Sequence, residues 1–193
     1  MTFRPEKSNE RGAYECLGVL ICTVLAMLLI SSLVMRVFRV DGASMRETLQ
    51  DGDILLVLND PLCGNYERGD IVVLRKAGFR DGAPIVKRVI ATEGQTVEID
   101  FEKDAVFVDG EKLEEDYIRE PTWTPEGLEF PVTVPEGHLF VLGDNRNASS
   151  DSRSRELGTI DTRMVMGQAV LLAVPGKTAG LDRREWSRTG LLQ

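Results

Sequence analysis

Ser44 has the sequence surroundings of a candidate nucleophile. It lies in the run Val-Asp-Gly-Ala-Ser-Met at residues 40–45, where a glycine-containing turn follows a long apolar segment. A serine hydroxyl is a poor nucleophile unless a neighbouring base removes its proton. If Ser44 does chemistry, another segment of the chain must therefore supply a base.

Two residues are candidates for that base. Histidine is the base of catalytic triads, and His138 is the only histidine in the chain. It begins an apolar run after Pro-Glu-Gly, a position that favours a structural role. The alternative is Lys87, which lies in the strand-like run Ile-Val-Lys-Arg-Val-Ile at residues 85–90. Successive strand side chains face opposite sides, so we expect one of Lys87 and Arg88 to lie in a dry site while the other reaches water.

A lysine can act as a base only where its pKa is low. The ordinary lysine pKa of about 10.4 leaves less than about one side chain in a thousand neutral at pH 7. Burial lowers this pKa by roughly 3–5. A lowering of about three costs about 4 kcal/mol, which a domain can bear. A solvated edge-strand lysine is the simpler interpretation of residues 85–90 taken alone.

The polar run at residues 143–153 is unusually rich in groups that need partners. It contains two Asp, two Arg and three Ser directly after an apolar stretch. A buried polar network requires such a composition, because each desolvated group needs a hydrogen-bond partner. We expect Asp151 to pair with Arg146 or Arg153, and a nearby serine to aim the lysine amine at Ser44. A plain polar loop is the alternative.

Composition narrows the class of protein. The 193 residues allow one domain plus an appendage. A net charge of −8 argues against nucleic acid as a partner. Two of the three cysteines lie in or beside the apolar segment, which leaves Cys63 alone in the rest of the chain and excludes a disulfide framework there. We expect no metal and no cofactor.

Residues 14–36 are predicted to form a single transmembrane helix. They include 20 consecutive uncharged residues, 16–35, and this length crosses a bilayer core. A buried helix of a soluble protein and a cleaved secretory signal are the alternatives. The run is long for a signal, and Arg36 follows it without a small-x-small cleavage site.

Flanking charges give the expected orientation of this helix. Residues 1–13 carry three basic residues, whereas the other side carries Arg36 and Arg39. By the positive-inside rule, residues 1–13 are predicted to be a short cytoplasmic tail. The following domain, residues 37–180, is then extracytoplasmic, and residues 181–193 are predicted to be a loose basic tail.

Beyond residue 40 the pattern is that of short strands. Apolar or alternating runs are bounded by Gly and Asp, and Asp109-Gly110 between two arms is a tight hairpin signal. Residues 114–130 carry two prolines and several acids, which indicates a surface loop. The fold class is therefore mainly β, an antiparallel sheet coiled or closed on itself. The predicted strands lie at 54–58, 71–74, 96–100, 106–113, 139–142 and 165–172.

Taken together, these runs resemble the bacterial type I signal peptidases, membrane-anchored serine proteases with a Ser–Lys dyad. The resemblance covers the apolar segment and nearly all of residues 37–175. Four motifs follow in the family's order: Val-x-Gly-x-Ser-Met-x-Pro-Thr-Leu at 40–49, Gly-Asp-Ile-Val at 69–72, Lys-Arg-Val-Ile at 87–90, and Gly-Asp-Asn-Arg-x-x-Ser-x-Asp-Ser-Arg at 143–153.

The resemblance implies a role for each matching residue. Ser44 would be the nucleophile, Lys87 the general base, and Ser149 the serine that orients the lysine. Met45 would line the substrate pocket, and the Ser44 N–H would be one oxyanion donor. Gly42 stands where some members carry a serine hydroxyl as the second donor, so that donor is left unidentified. The supporting ion-pair residues would be Asp151 and Arg153, with Arg146 beside them.

The chain also departs from the family pattern. Glu47 replaces the proline that usually follows Ser-Met-x, and the usual Gly-x-Pro-Gly-Asp after Lys-Arg-Val-Ile reads Ala91-Thr92-Glu93-Gly94-Gln95. By resemblance we expect an enzyme that removes the signal peptides of exported preproteins at the lipid bilayer. An inactive membrane-tethered relative that binds exported chains is the alternative. Another alternative is a different Ser–Lys protease of related fold, such as a self-cleaving repressor. Such repressors lack a membrane anchor and normally carry a DNA-binding part.

Overall fold

The computed structural model describes residues 7–59, 65–177 and 183–192, so that Cys63 lies outside the described residues. The chain divides into two units, Met1–Met35 and Arg36–Gln193. The first unit is a single helix, and the second consists of paired strands.

The first unit is one long helix. The helix α1 spans Lys7–Val34, so it begins seven residues before the predicted segment 14–36 and includes part of the expected tail. Its portion Tyr14–Val34 is apolar, and none of that portion is buried. At 1.5 Å per residue these 21 residues span about 32 Å, close to the thickness of a bilayer's hydrocarbon core.

The second unit is mainly antiparallel β, as the sequence predicted. Its larger sheet has the strand order β1-β2-β11-β3-β4-β9-β10, with β12 paired to β11, and its smaller sheet has the order β7-β6-β5-β8. The larger sheet curls as a half-barrel. Irregular register in β4 and β11 accompanies this curl, since bulges bend strands. The strands are β1 (Met35–Arg39), β2 (Ile54–Asn59), β3 (Ile71–Leu74), β4 (Ile85–Thr92), β5 (Thr96–Asp100), β6 (Ala105–Val108), β7 (Glu111–Lys112), β8 (Val132–Thr133), β9 (His138–Leu142), β10 (Ile160–Asp161), β11 (Val165–Val174) and β12 (Gly190–Leu191).

The burial of individual strands and the sequence of one turn account for parts of this topology. All four residues of β3 are buried because its two faces pack into different core clusters, Val72 and Leu74 in one and Ile71 and Val73 in the other. β2 alternates between half-buried and buried positions. The hairpin predicted at Asp109-Gly110 joins β6 to β7, and both turn residues have positive φ, 53° and 81°. That geometry is the type I′ turn, whose twist matches that of the flanking strands.

The C-terminal residues carry more structure than a loose tail. Gly190 and Leu191 form β12 and pair with Leu172 and Leu171 of β11. Arg188 donates to both carboxylate oxygens of the buried Asp53, at 3.1 and 2.7 Å. The expectation of a loose basic tail therefore fails for residues 183–192, because one of the basic side chains has a buried acid as its partner.

Candidate active site

Ser44 lies in a loop that the backbone closes upon itself. The Val40 N–H donates to the Asp53 carbonyl at 2.8 Å, and the Gly52 N–H donates back to the Val40 carbonyl at 2.9 Å. Gly42 has a φ of 98°, a conformation that costs glycine little and other residues more. These constraints hold residues 40–53 as one ordered loop between β1 and β2.

A second segment fixes the residues around the Ser44 hydroxyl. The Asn145 N–H donates to the Ser44 carbonyl at 3.0 Å, and Asn145 Nδ2 donates to the Ala43 carbonyl at 2.9 Å. Ser44 is half-buried and lines a shallow cleft together with Met45, which is 1% exposed. Asn145 therefore attaches the Ser44 loop to the polar run at 143–153, a contact that the sequence analysis did not assign.

Two backbone N–H groups near Ser44 differ in availability. The Gly42 N–H donates to Asp51 Oδ1 at 2.9 Å and is thereby occupied. Among the described residues, the Ser44 N–H has no hydrogen-bond partner. An oxyanion donor must be free to reach the reacting oxygen, so the Ser44 N–H fits that role and the Gly42 N–H does not.

Lys87 is buried in the centre of the larger sheet. It lies on β4 opposite Val72 of β3, and 1% of its surface is exposed. Burial lowers the pKa of Lys87 from 10.5 to about 8. The charge of Asp151 raises this pKa, the Arg80 guanidinium lowers it, and two further acids raise it less. At pH 7 about a tenth of such a lysine is neutral, enough for a general base.

Gly143 lies beside Ser149 and the Ser44 carbonyl, and in register with Lys87. Arg88 pairs with Leu142 across β4 and β9, which puts Lys87 level with Gly143. A methyl group added to Gly143 would overlap Ser149 Oγ and lie 2.5 Å from the Ser44 carbonyl oxygen. Only glycine fits between these groups, and its small size is what allows their close approach.

Ser149 has an unusual hydroxyl. The residue is 5% exposed, and among the described residues its Oγ has no hydrogen-bond partner. A buried hydroxyl left unpaired costs about 1–3 kcal/mol, so such groups are rare and invite a functional explanation. A hydroxyl beside Gly143 and level with Lys87 is positioned to orient an amine there.

Of the two pairings left open for Asp151, the structure contains the one with Arg153. Arg153 Nε and Nη2 donate to the two carboxylate oxygens of Asp151 at 2.8 and 2.9 Å, and both side chains are fully buried. Arg153 also donates to the carbonyls of Arg146, Ser149 and Thr124. Asp151 in turn accepts from the Gly143 N–H at 3.0 Å, so the pair supports the strand end that Lys87 faces.

Arg146 has a different partner from the one considered in the sequence analysis. Its guanidinium donates to both oxygens of Glu115, at 3.0 and 2.5 Å, and to Thr122 Oγ1 at 3.0 Å. Its Nε donates to the Gly143 carbonyl at 3.1 Å. Glu115 and Thr122 belong to the loop 114–130, which the sequence analysis described only as a surface loop.

The expectation that Lys87 or Arg88 reaches water is wrong for both residues. Arg88 is 2% exposed and donates from Nε and Nη2 to the two oxygens of Asp144 at 2.9 and 2.8 Å. Thr48 Oγ1 donates to the same carboxylate at 2.5 Å, and the Arg88 guanidinium stacks on Tyr117, 4.1 Å from the ring centroid. Arg88 can stay buried because these groups replace its hydration.

Glu126 is a charged neighbour of the site that the sequence analysis missed. Its Oε2 accepts from the Asp151 N–H at 3.2 Å, and its Oε1 lies 3.8 Å from Arg153 Nη2. Burial, together with the charge of Asp151, raises the pKa of Glu126. Nothing in residues 114–130 taken alone distinguishes this acid from its solvated neighbours.

His138, the alternative base, lies at the wrong end of its strand. It begins β9, while Gly143 directly follows the last residue of that strand. Five residues at about 3.3 Å each separate the two positions by roughly 16 Å. The His138 ring lines another cavity with Glu93, and its Nδ1 lies 2.8 Å from the Glu136 carbonyl. His138 therefore cannot exchange a proton with Ser44 directly.

Comparison with known proteins places this arrangement in a family. The family model described as signal peptidase, peptidase S26, matches residues 14–174. Signal peptidase I of Bacillus licheniformis is 34% identical over 183 residues, which cover 91% of this chain and 96% of that protein. Signal peptidase I T of Bacillus subtilis strain 168 is 35% identical over 182 residues, which cover 90% and 92%.

Two further similar proteins match a smaller share of this chain. A probable signal peptidase I-1 of Synechocystis is 34% identical over 171 residues, 81% of this chain and 83% of that protein. The crystal structure of a signal peptidase I from Enterococcus faecalis V583 is 32% identical, with a TM-score of 0.44, and covers 54% of this chain and 96% of that one. From the family match over most of its length, the chain belongs to the signal peptidase family, the S26 peptidases.

Proposed function

We propose that this chain is a membrane-anchored serine endopeptidase that removes signal peptides from exported preproteins, with Ser44 as nucleophile and Lys87 as general base. The observation that carries the proposal is the buried Lys87, whose pKa of about 8 leaves it partly neutral near pH 7. Lys87 is also level with the glycine that Ser44 and Ser149 both contact. Buried ionisable groups of this kind cluster at functional sites.

The reaction follows the steps of acyl transfer. The Ser44 hydroxyl gives its proton to the Lys87 amine while Oγ attacks the carbonyl carbon of the scissile bond. The Ser44 N–H stabilises the negative oxygen that forms. When this intermediate collapses, Lys87 returns the proton to the leaving amine, which is the new N-terminus of the mature protein. The signal peptide remains as an ester on Ser44.

Water completes the cycle with the same base. Lys87, neutral again, removes a proton from a water molecule that attacks the ester carbonyl. The signal peptide leaves with a carboxylate, and the proton returns to Ser44. Ser149 keeps the amine aligned in both halves, because its Oγ faces no competing partner among the described residues. Asp151 and Arg153 keep the run that carries Ser149 in place.

Anchoring completes the proposal. The helix α1 spans the bilayer with its N-terminus in the cytoplasm, and residues 37–180 form the extracytoplasmic catalytic domain. Support comes from the apolar portion of 21 residues and from the larger number of basic residues before it. The helix keeps the peptidase at the membrane from which signal peptides emerge.

Cleavage of a preprotein by the detergent-solubilised full chain tests this function. The substrate carries alanine at the first and third positions before the cut. We expect cleavage by the wild type and loss of at least about 1,000-fold in Ser44→Ala and Lys87→Met. The matched controls are Ser150→Ala and Lys112→Met, because both side chains are exposed.

Each outcome separates the proposal from its alternatives. An intact chain that binds preproteins but cuts none would favour the inactive binding relative. Retained cleavage in Lys87→Met together with loss in His138→Ala would transfer the role of base to His138. Retained cleavage in Ser44→Ala would overturn the assignment of the nucleophile.

A further inference from the structure

The turn between β3 and β4 brings a cation to the cleft that contains Ser44. Arg80 lines this cleft together with Ser44, Met45 and Val86. Its side chain is exposed, and among the described residues it has no hydrogen-bond or ion-pair partner. An arginine without a carboxylate partner at the mouth of a substrate cleft is available to a ligand.

The turn holds Arg80 in an unusual backbone conformation. Arg80 and Asp81 have φ values of 46° and 57°, in the left-handed region that side chains with a Cβ seldom adopt. Phe79, which is 4% exposed, anchors the turn in the core. The Gly82 N–H donates to the Phe79 carbonyl at 2.9 Å, and the Ala83 N–H donates to the Arg80 carbonyl at 3.0 Å. Strained residues that the surrounding structure maintains are a reason to look for a function.

The cleft is lined by two arginines and one acid, so its lining carries a net charge of +1. Arg39 also lines the cleft, but its guanidinium is directed at Gly52. Asp41 is the acid of the cleft, and it too is exposed without a partner among the described residues. The charge of Arg80 reaches the base, because its guanidinium lowers the pKa of Lys87, although less than burial does. The groups that raise this pKa are Asp151, Glu126 and Asp144, all on the side of the polar run.

We propose that Arg80 is a specificity residue that favours substrates with an acidic side chain, and disfavours those with a basic one, next to the scissile bond. This proposal rests on the function proposed above. A substrate bound extended in the cleft presents alternate side chains to its two walls, so one position near the cut faces Arg80. A single exposed charge changes binding by a few-fold, and salt weakens the effect.

The test uses peptides that differ in one charge. All carry alanine at the first and third positions before the cut. Each has Glu, Gln or Lys at the second position before the cut, or at the first or second position after it. For wild type at low salt we expect kcat/KM for the Glu peptide to exceed that for the Lys peptide by about three- to tenfold at one of these positions.

Substitutions of Arg80 then change this ratio. Arg80→Gln brings the Glu-to-Lys ratio close to one, and Arg80→Glu inverts it. Any change in the Lys87 pKa affects both peptides equally and cancels in the ratio. Arg75→Gln, an exposed arginine outside the cleft on the same β3–β4 connection, is the matched control and keeps the wild-type ratio. In 0.5 M salt, a concentration whose Debye length is below about 8 Å, the wild-type ratio declines.

Three results would overturn the proposal. If the Glu-to-Lys ratio is the same in wild type, Arg80→Gln and Arg80→Glu at every position, Arg80 does not select by charge, while cleavage itself leaves the proposed function intact. If the wild type cuts none of the peptides and no preprotein either, the proposed function and the role of Arg80 fail together. Equal ratios in Arg75→Gln and Arg80→Gln, both below wild type, would assign the preference to long-range charge.

Discussion

Replacing Lys87 by methionine should remove activity and at the same time stabilise the protein. Burial holds the pKa of Lys87 at about 8, against 10.5 in a solvated chain. That difference corresponds to a penalty of about 3 kcal/mol for keeping the charged amine in the folded state, at about 1.4 kcal/mol per pKa unit. Methionine has a similar length and no charge, so it occupies the same space without the penalty.

The size of this stabilisation depends on pH. Below pH 8 the amine is protonated in both the folded and the unfolded chain, so the folded wild type carries the whole penalty. Between pH 8 and 10.5 the folded state loses its proton first, and the penalty declines. Above pH 10.5 both states are neutral and no penalty remains. Lys87→Met should therefore raise the free energy of unfolding by up to about 3 kcal/mol at pH 6.5 and by much less at pH 10.5.

Urea unfolding of the detergent-solubilised full chain measures this difference. The unfolding curves of wild type and Lys87→Met are followed by tryptophan fluorescence at pH 6.5 and at pH 10.5. Lys112→Met is the control, because its side chain is exposed on β7 and should leave the stability within about 0.5 kcal/mol. A Lys87→Met protein no more stable than wild type at pH 6.5, or one with an equal gain at both pH values, would refute a desolvated lysine.

Substitutions at three further positions test other parts of the structure. Ser149→Ala should lower kcat about 100-fold, because the Lys87 amine is then misaligned. The stability of this variant should be unchanged or higher, since Ser149 Oγ is unpaired among the described residues. The control Ser150→Ala should change neither quantity, and a stability loss above about 1 kcal/mol in Ser149→Ala would indicate a structural role. Glu47 has a φ of 89°, so Glu47→Gly should stabilise by about 1 kcal/mol in thermal unfolding. Glu47→Pro should destabilise and reduce cleavage, because proline fixes φ near −65°; normal cleavage by that variant would contradict the loop geometry. Arg188→Gln should lower the free energy of unfolding by about 2 kcal/mol, because the buried Asp53 carboxylate loses two hydrogen-bond donors. The control is Arg183→Gln, since Arg183 is exposed. Equal stabilities of the two variants would contradict this role of Arg188.

The strands could be predicted because their signals are local. The run at 71–74 is continuously apolar, and it forms β3, which is buried between two neighbours. Asp109-Gly110 defines a hairpin through its own backbone preference, and the two positive φ values follow. Lys87 could be named as a candidate from its apolar strand, but that run alone favoured a solvated lysine, and the role of base came from the family resemblance.

The partners of the polar run could not be predicted, because they come from distant segments. Glu115 and Glu126 have the composition of a solvated loop, and only the folded structure brings them to Arg146 and Arg153. The pairing of Arg188 with Asp53 spans 135 residues, and no local pattern indicates it. Alternation along β4 gave the wrong exposure for Arg88, since a buried arginine depends on partners elsewhere in the chain.

Glu47, which stands where the family pattern has proline, adopts a backbone conformation that proline cannot adopt. A proline at this position requires a negative φ, whereas Glu47 has a φ of 89° three residues after Ser44. The Leu49 N–H still donates to the Met45 carbonyl at 2.8 Å, so the turn after Ser44 is retained. The loop is thus closed by hydrogen bonds rather than by a proline ring.

The pH dependence of kcat/KM tests the central claim, a lysine base, most directly. With Lys87 as base, kcat/KM for a neutral peptide rises about tenfold per pH unit and levels off near pH 8, where the amine loses its proton. His138→Ala leaves this profile unchanged. A profile that levels off near the ordinary histidine pKa of about 6.5, and loses that break in His138→Ala, would contradict the account.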